Sequence, residues 1–107
     1  MRTGNLFADL AARTAEETFV PLAQGKRFRL ERIVSTGHAS PPDAWYDQAD
    51  DEWVVLLRGR AALRYADGGV LEMAPGDHVL IPAHVRHRVE WTAADEPTVW
   101  LGLHFAP

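Results

Sequence analysis

From Thr18 onward the apolar residues fall in short runs bounded by turn formers rather than at helical spacing. The runs are TFVPL (18–22), RFRLERIVS (27–35), EWVVLLRG (52–59), AALRYA (61–66), VLEMA (70–74), HVLIPA (78–83), HRVEW (87–91) and TVWLGLHF (98–105). Each has the length and the β-branched or aromatic content of a strand. So many short strands at close spacing predict an all-β sandwich or barrel. The separators act by known backbone chemistry. Asp67-Gly68-Gly69 tolerates positive φ and predicts a tight hairpin, and Pro75-Gly76-Asp77 predicts another turn. Pro82 cannot donate a ladder hydrogen bond, so it should close its strand or lie on an edge. Ser35 to Asp51 is the one long irregular connection, and such loops in small barrels often carry function. Residues 1–17 form a separate N-terminal segment. Over residues 5–15 the pattern is open between a short helix, capped by Asn5 with Leu6, Phe7, Leu10 and Ala11 on one side, and an extended arm. Residues 18–107 make the single β-domain.

Strand alternation then sorts side chains by face. In HRVEW, His87, Val89 and Trp91 share the apolar side, which places His87 toward the core. In EWVVLLRG, Glu52 lies with Val54 and Leu56 while Trp53, Val55 and Leu57 form the opposite face. Both faces are apolar, so the strand is covered on both sides and Glu52 has no assured route to water. A buried carboxylate needs a cation or hydrogen-bond donors, whereas a Glu52 at the solvent rim needs neither. The other histidines give weaker signals. His84 and His87 are spaced to fall on opposite faces of a strand, His38 sits in the long loop facing solvent, and His78 follows a turn with either orientation open. His104 alternates away from Val99, Leu101, Leu103 and Phe105, with Trp100 and Gly102, which points it to the rim or a subunit interface.

Composition narrows the function class by exclusion. The chain is 47% hydrophobic and 24% charged, which suits a globular domain rather than a disordered one. It has no cysteine, so disulfides, thiolate metal sites and a cysteine nucleophile are out, and any metal must be held by His, carboxylate or amide groups. A net charge of −4 argues against nucleic acid as a partner. No apolar run is long enough to span a bilayer and no secretion signal opens the chain, so the expected location is the cytoplasm.

Glu52 and Gly59, followed by PGDHVLIPAHVRH (75–87), carry a resemblance to the cupin family of small β-barrels, from about residue 18 to 105. Glu52 and Gly59 match the end of the first cupin motif, and Gly76-Asp77, Pro82 and His87 match the second. The resemblance implies a double-stranded β-helix, or jelly-roll barrel, preceded by an arm. It also implies a divalent metal ion (Mn, Fe, Ni or Zn) held by Glu52 and His87. The paired histidines of the first motif are missing. Their places fall on Tyr46 and Gln48 with one spacer length, or on Trp45 and Asp47 with the other, so Gln48 and Asp47 are the remaining ligand candidates. His84 stands where the motif has glycine.

Such a set of oxygen donors with one imidazole suits a hard or borderline ion. Two functions follow from the resemblance. One is a metal-dependent enzyme of dioxygenase, isomerase or lyase type acting on a small organic substrate, with Tyr46 or His84 as proton donor. The other is a non-catalytic binding or sensor barrel, with Trp45, Tyr46 and Trp91 lining a pocket. The outward Trp53, Val55 and Leu57 stripe predicts a homodimer, unless the N-terminal segment covers it.

Overall fold

The computed structural model describes residues 1–107 and contains eight strands and no helix. They are β1 (Thr18–Gln24), β2 (Phe28–Ser35), β3 (Asp51–Arg58), β4 (Ala61–Tyr65), β5 (Val70–Met73), β6 (His78–Ile81), β7 (His87–Thr92) and β8 (Thr98–Phe105). All pairings are antiparallel, in a five-stranded sheet of order β1-β2-β8-β3-β6 and a three-stranded sheet of order β5-β4-β7. This is the jelly-roll architecture. Ile33, Val54, Leu56, Ile81 and Trp100 from the larger sheet meet Ala61, Leu63 and Met73 from the smaller in one apolar core. No helix is long and apolar enough to cross a membrane.

The turns follow their chemistry. Gly68 has φ +99, and the Gly69 amide donates to Asp67 Oδ1 at 2.8 Å, closing the β4–β5 hairpin. β6 ends at Ile81, immediately before Pro82, on the edge of the larger sheet. Gly59 makes the corner between β3 and β4 with φ +90, and a Cβ there would lie 2.7 Å from Thr98 Cα. Only glycine fits that corner.

The helical option for residues 5–15 is not realised. Asn5 does cap a single turn, accepting from the Phe7 amide at 2.8 Å, but the helix does not propagate. So short a helix is marginal in water without tertiary support, and here Leu6 and Leu10 are the only apolar residues of the segment that are even half-buried. Arg32 instead holds the turn by donating to the carbonyls of Leu6 and Ala8, at 3.3 and 2.7 Å.

Alternation also breaks in β7. Ala62 pairs with Trp91 but Leu63 pairs with Val89, a bulge that leaves Glu90 without a partner position. Inward facing therefore passes from Val89 to Thr92, and Trp91 ends 40% exposed. Trp91 does not line the pocket.

Replacing Gly59 with Ala should cost roughly 2–4 kcal/mol, because positive-φ strain adds to the clash with Thr98. Gly76→Ala, with φ +94 but open space around it, should cost less. Urea unfolding midpoints of the two variants check the order.

Candidate functional site

A cavity of about 410 Å³ lies between the sheets, with apolar walls that include Ile33, Val54, Leu63 and Trp100. Its polar lining comes from Glu31, Gln48, Glu52, His87 and His104, with Glu17 and Arg29 also on its walls. β3 supplies Glu52 on the same inward face as the buried Val54 and Leu56. β7 supplies the buried His87. The His87 Nε2 atom is 3.5 Å from Glu52 Oε1, and the Gln48 amide nitrogen is 3.4 Å from the same oxygen.

The approach to β3 is set by one short piece of pairing. Tyr46 bridges His87, with its amide donating to the His87 carbonyl at 2.7 Å and the His87 amide returning the bond at 3.2 Å. That extended geometry turns Tyr46 and Gln48 inward and Asp47 outward. Tyr46 and Gln48, the pair that one spacer length puts at the missing histidine positions, line the cavity, and Trp45 and Asp47, the other pair, do not. Asp47 lies outside the cavity and bonds His84 Nδ1 at 2.7 Å, both side chains being largely exposed. The corner that holds His84, with φ +63, carries its ring away from the cavity. Neither residue faces the other site groups. Trp45 packs under Arg86 and Arg88 and lines a separate recess beneath the long loop.

The expectation for His104 is overturned. It is 5% exposed and lines the cavity, with Nε2 3.4 Å from Glu52 Oε2 and 3.2 Å from Glu31 Oε1. The greasy side of β8 is the outer face of the sheet, so the face with Trp100, Gly102 and His104 is the interior. His38 is half-buried rather than solvated, bonded to the Thr36 amide and the Thr14 carbonyl. His78 is exposed, with its ring 5.5 Å from that of Trp53.

Glu31 was not singled out from the sequence, although a signal was present. Arg29, Glu31 and Ile33 alternate together in β2, and β2 pairs β8 with Glu31 opposite Gly102 and Arg29 opposite His104. Glu17 is similar: its carboxyl accepts a short hydrogen bond from the Ser35 hydroxyl, which itself accepts from the Trp100 indole at 3.1 Å.

These contacts set the electrostatics. Burial opposes ionisation of Glu52, but hydrogen bonding to His87, the nearby imidazoles and the Gln48 amide outweigh it and hold the carboxyl below its ordinary 4.5. Burial likewise opposes charging of His87, yet the Glu52 carboxylate and the Val85 carbonyl raise it above 6.5. Burial pushes the Glu17 carboxyl up despite the Ser35 bond. The Tyr46 phenol is raised by burial and then by Glu17, Glu52 and Glu31, so it stays protonated near neutral pH.

The proton on His87 can be located. Its Nδ1 lies 2.8 Å from the Val85 carbonyl oxygen, which only accepts, so Nδ1 carries the hydrogen. Protonated, His87 also offers an Nε2 hydrogen to Glu52; neutral, it keeps only the Nδ1 hydrogen and presents the Nε2 lone pair to the cavity, the form a metal ion requires. No three His, Asp or Glu side chains surround a common point, so the donors fit an ion only as His87, Glu52 and an amide. Turning the Gln48 amide would bring its oxygen to Glu52 Oε1's side of the cavity.

The Cupin domain family matches residues 31–104, a span from the cavity's Glu31 to its His104. The chain belongs to the cupin family. A Ralstonia eutropha JMP134 structure, provisionally named a mannose-6-phosphate isomerase, is 46% identical to this cupin over 100% of both chains, with a TM-score of 0.96. A cupin superfamily protein from Desulfitobacterium hafniense DCB-2 is 18% identical over 100% of this chain and 94% of its own, with a TM-score of 0.79. The TT1209 protein of Thermus thermophilus is 19% identical over 99% of this chain and 98% of its own, with a TM-score of 0.80. The last two are likenesses of fold. No curated protein matches the sequence.

The Glu52–His87 pair makes a signed pH statement. His87's contribution to stability is complete below its ordinary 6.5 and fades as pH rises through its raised folded value. Glu52's contribution is complete above its ordinary 4.5 and fades as pH falls through its lowered folded value. The pair therefore stabilises fully between 4.5 and 6.5. In chelator-treated protein, thermal midpoints should fall on the alkaline side of that window, and His87→Gln should flatten that fall.

Proposed function

We propose that this cupin binds a divalent transition-metal ion at His87 and Glu52, with the Gln48 amide as third protein donor, and acts on a small organic molecule in the adjoining cavity. The observation that carries the reading is the Val85 carbonyl bond, which leaves His87 Nε2 as the lone pair facing Glu52 inside the cavity. One imidazole with carboxylate and amide oxygens suits Mn²⁺, Fe²⁺, Ni²⁺ or Zn²⁺. When bound, such an ion supplies Lewis acidity toward a substrate oxygen or a position for dioxygen. The chain's own residues do the rest. The apolar walls exclude water and orient the carbon skeleton, and Tyr46 stacks on the His87 ring at a centroid distance of 5.5 Å.

Chemistry of isomerase, lyase or dioxygenase type fits this frame, and the name carried by the Ralstonia protein supports the first. The proton carrier best supported by position is Glu17, a cavity carboxyl kept protonated to higher pH by burial. His84 faces away, and the Tyr46 phenol is too weak an acid near neutrality. A second reading, a non-catalytic binding barrel, is favoured by that same lack of a convergent three-residue metal cluster. In either case the partner is a small molecule, and the cysteine-free chain suits the cytoplasm.

Metal analysis of tag-free protein separates the two readings, and variants test the site. His87→Ala and Glu52→Gln should each weaken Zn²⁺ or Mn²⁺ binding by more than ~100-fold, beyond what loss of a merely supporting group costs. Stoichiometric metal in His87→Ala would refute the site.

We also propose a homodimer through the outer face of the larger sheet. Trp53 and Val55 on β3 pair in register with Leu103 and Leu101 of β8, Leu57 lies at the bulge that follows, and Phe28, 43% exposed, extends the patch along β2. The N-terminal turn held by Arg32 covers only part of this face. A two-fold contact would bury the rest of it in both copies. Sedimentation at micromolar concentration should give twice the 11.9 kDa chain mass, and Val55→Arg should return it to one chain.

A further inference from the structure

The two imidazoles of the cavity hold opposite tautomers, and this divides their labour. His87 has Nδ1–H fixed by the Val85 carbonyl, leaving Nε2 free to bind. His104 is the reverse. Its Nε2 faces two carboxylate oxygens, Glu31 Oε1 at 3.2 Å and Glu52 Oε2 at 3.4 Å, while its Nδ1 is buried with no partner at all. With Nδ1 lacking any partner and Nε2 hydrogen-bonded to Glu31, the hydrogen of a neutral His104 sits on Nε2, which leaves that atom no lone pair to offer the site centre.

Backbone register explains how this arises. Arg29, His104 and Glu52 form one cross-strand row through β2, β8 and β3, and Glu31, Gly102 and Val54 form the next. Gly102 has no side chain, and a Cβ there would stand 3.7 Å from Glu52 Oε2 and 3.9 Å from His104 Nε2. Glu31 reaches His104 along the diagonal between the two rows. Arg29 lies behind Glu31, with its Nε 3.6 Å from Glu31 Oε2.

We infer that His104, hydrogen-bonded to Glu31, is a positioning residue for Glu52: its ring edge, with Nε2 3.4 Å from Oε2, holds that oxygen in place and turns Oε1 toward His87 and the ion. This rests on the metal-binding reading above and assigns within it a residue that is not itself a ligand. Without that grip the Glu52 carboxylate could rotate about its last bond, losing the pre-set direction that makes the site bind.

The experiment has a metal-free arm and a metal arm. Long-range ¹H–¹⁵N correlation spectra of chelator-treated protein at high pH should give the Nδ1–H tautomer for His87 and the Nε2–H tautomer for His104. In Zn²⁺ titrations against a chromophoric chelator, His104→Leu should weaken binding roughly 10- to 100-fold, the range typical of supporting partners of metal ligands. His104→Gln, whose amide can still donate near the Nε2 position, should recover most of that loss. Cu²⁺ paramagnetic resonance should register one imidazole nitrogen in the wild type, His104→Leu and His104→Gln, and none in His87→Ala. Two imidazole nitrogens in the wild type, unchanged affinity in His104→Leu, no recovery in His104→Gln, or an Nδ1–H tautomer at His104 would each overturn the inference. Full metal retention by His87→Ala would instead overturn the metal-binding reading on which it stands. Should His104→Leu fold poorly by circular dichroism, the tautomer assignment and the wild-type nitrogen count still decide the matter.

Discussion

A carboxylate inside a β-barrel must be matched, and the matching of Glu52 organises the centre of this cupin. Each of its oxygens faces a different imidazole, Oε1 toward His87 and Oε2 toward His104. The uncompensated cost of burying such a charge is several kcal/mol, so the surrounding donors are a condition of the fold as much as of any chemistry. The supporting contacts run outward from this point: Gln48 and Val85 on one side, Glu31 and Arg29 on the other.

The two sides of the larger sheet do different work. Its inner face carries the polar row between apolar neighbours, and its outer face is almost wholly apolar where β3 and β8 pair. A sheet with both faces withdrawn from water is ordinary in a layered fold, but here one of the covering layers is the smaller sheet and the other is supplied only in part by the N-terminal turn. The proposed assembly and the proposed site would thereby share β3 and β8, with alternate residues of each strand on the two faces.

Much of the architecture was legible in residue order. The strand runs, the hairpin at Asp67-Gly68-Gly69 and the strand end at Pro82 follow from side-chain period and backbone allowances, which are local properties. So does the inward turn of His87, whereas period leaves Glu52 open between the interior and the solvent rim and only the motif resemblance turns it inward. The reading of β8 failed because it equated the greasier face with the core, a rule that breaks when the outer face is also apolar. The reading of Trp91 failed because a bulge resets alternation, and nothing in HRVEW itself announces the extra residue.

The sequence by itself determined that this chain is a cysteine-free β-barrel of cupin type with an acid and an imidazole turned inward, since period, turns and motif spacing are written along the chain. Only the tertiary structure decided which groups meet them. Tyr46 and Gln48 face in because of a backbone bridge to His87, Asp47 and His84 satisfy each other outside, and Glu31 reaches His104 on the diagonal of the β2–β8 pair. Those outcomes depend on cross-strand register between segments as far apart as β2 and β8, and register is set by the packing of the whole sheet rather than by any one strand.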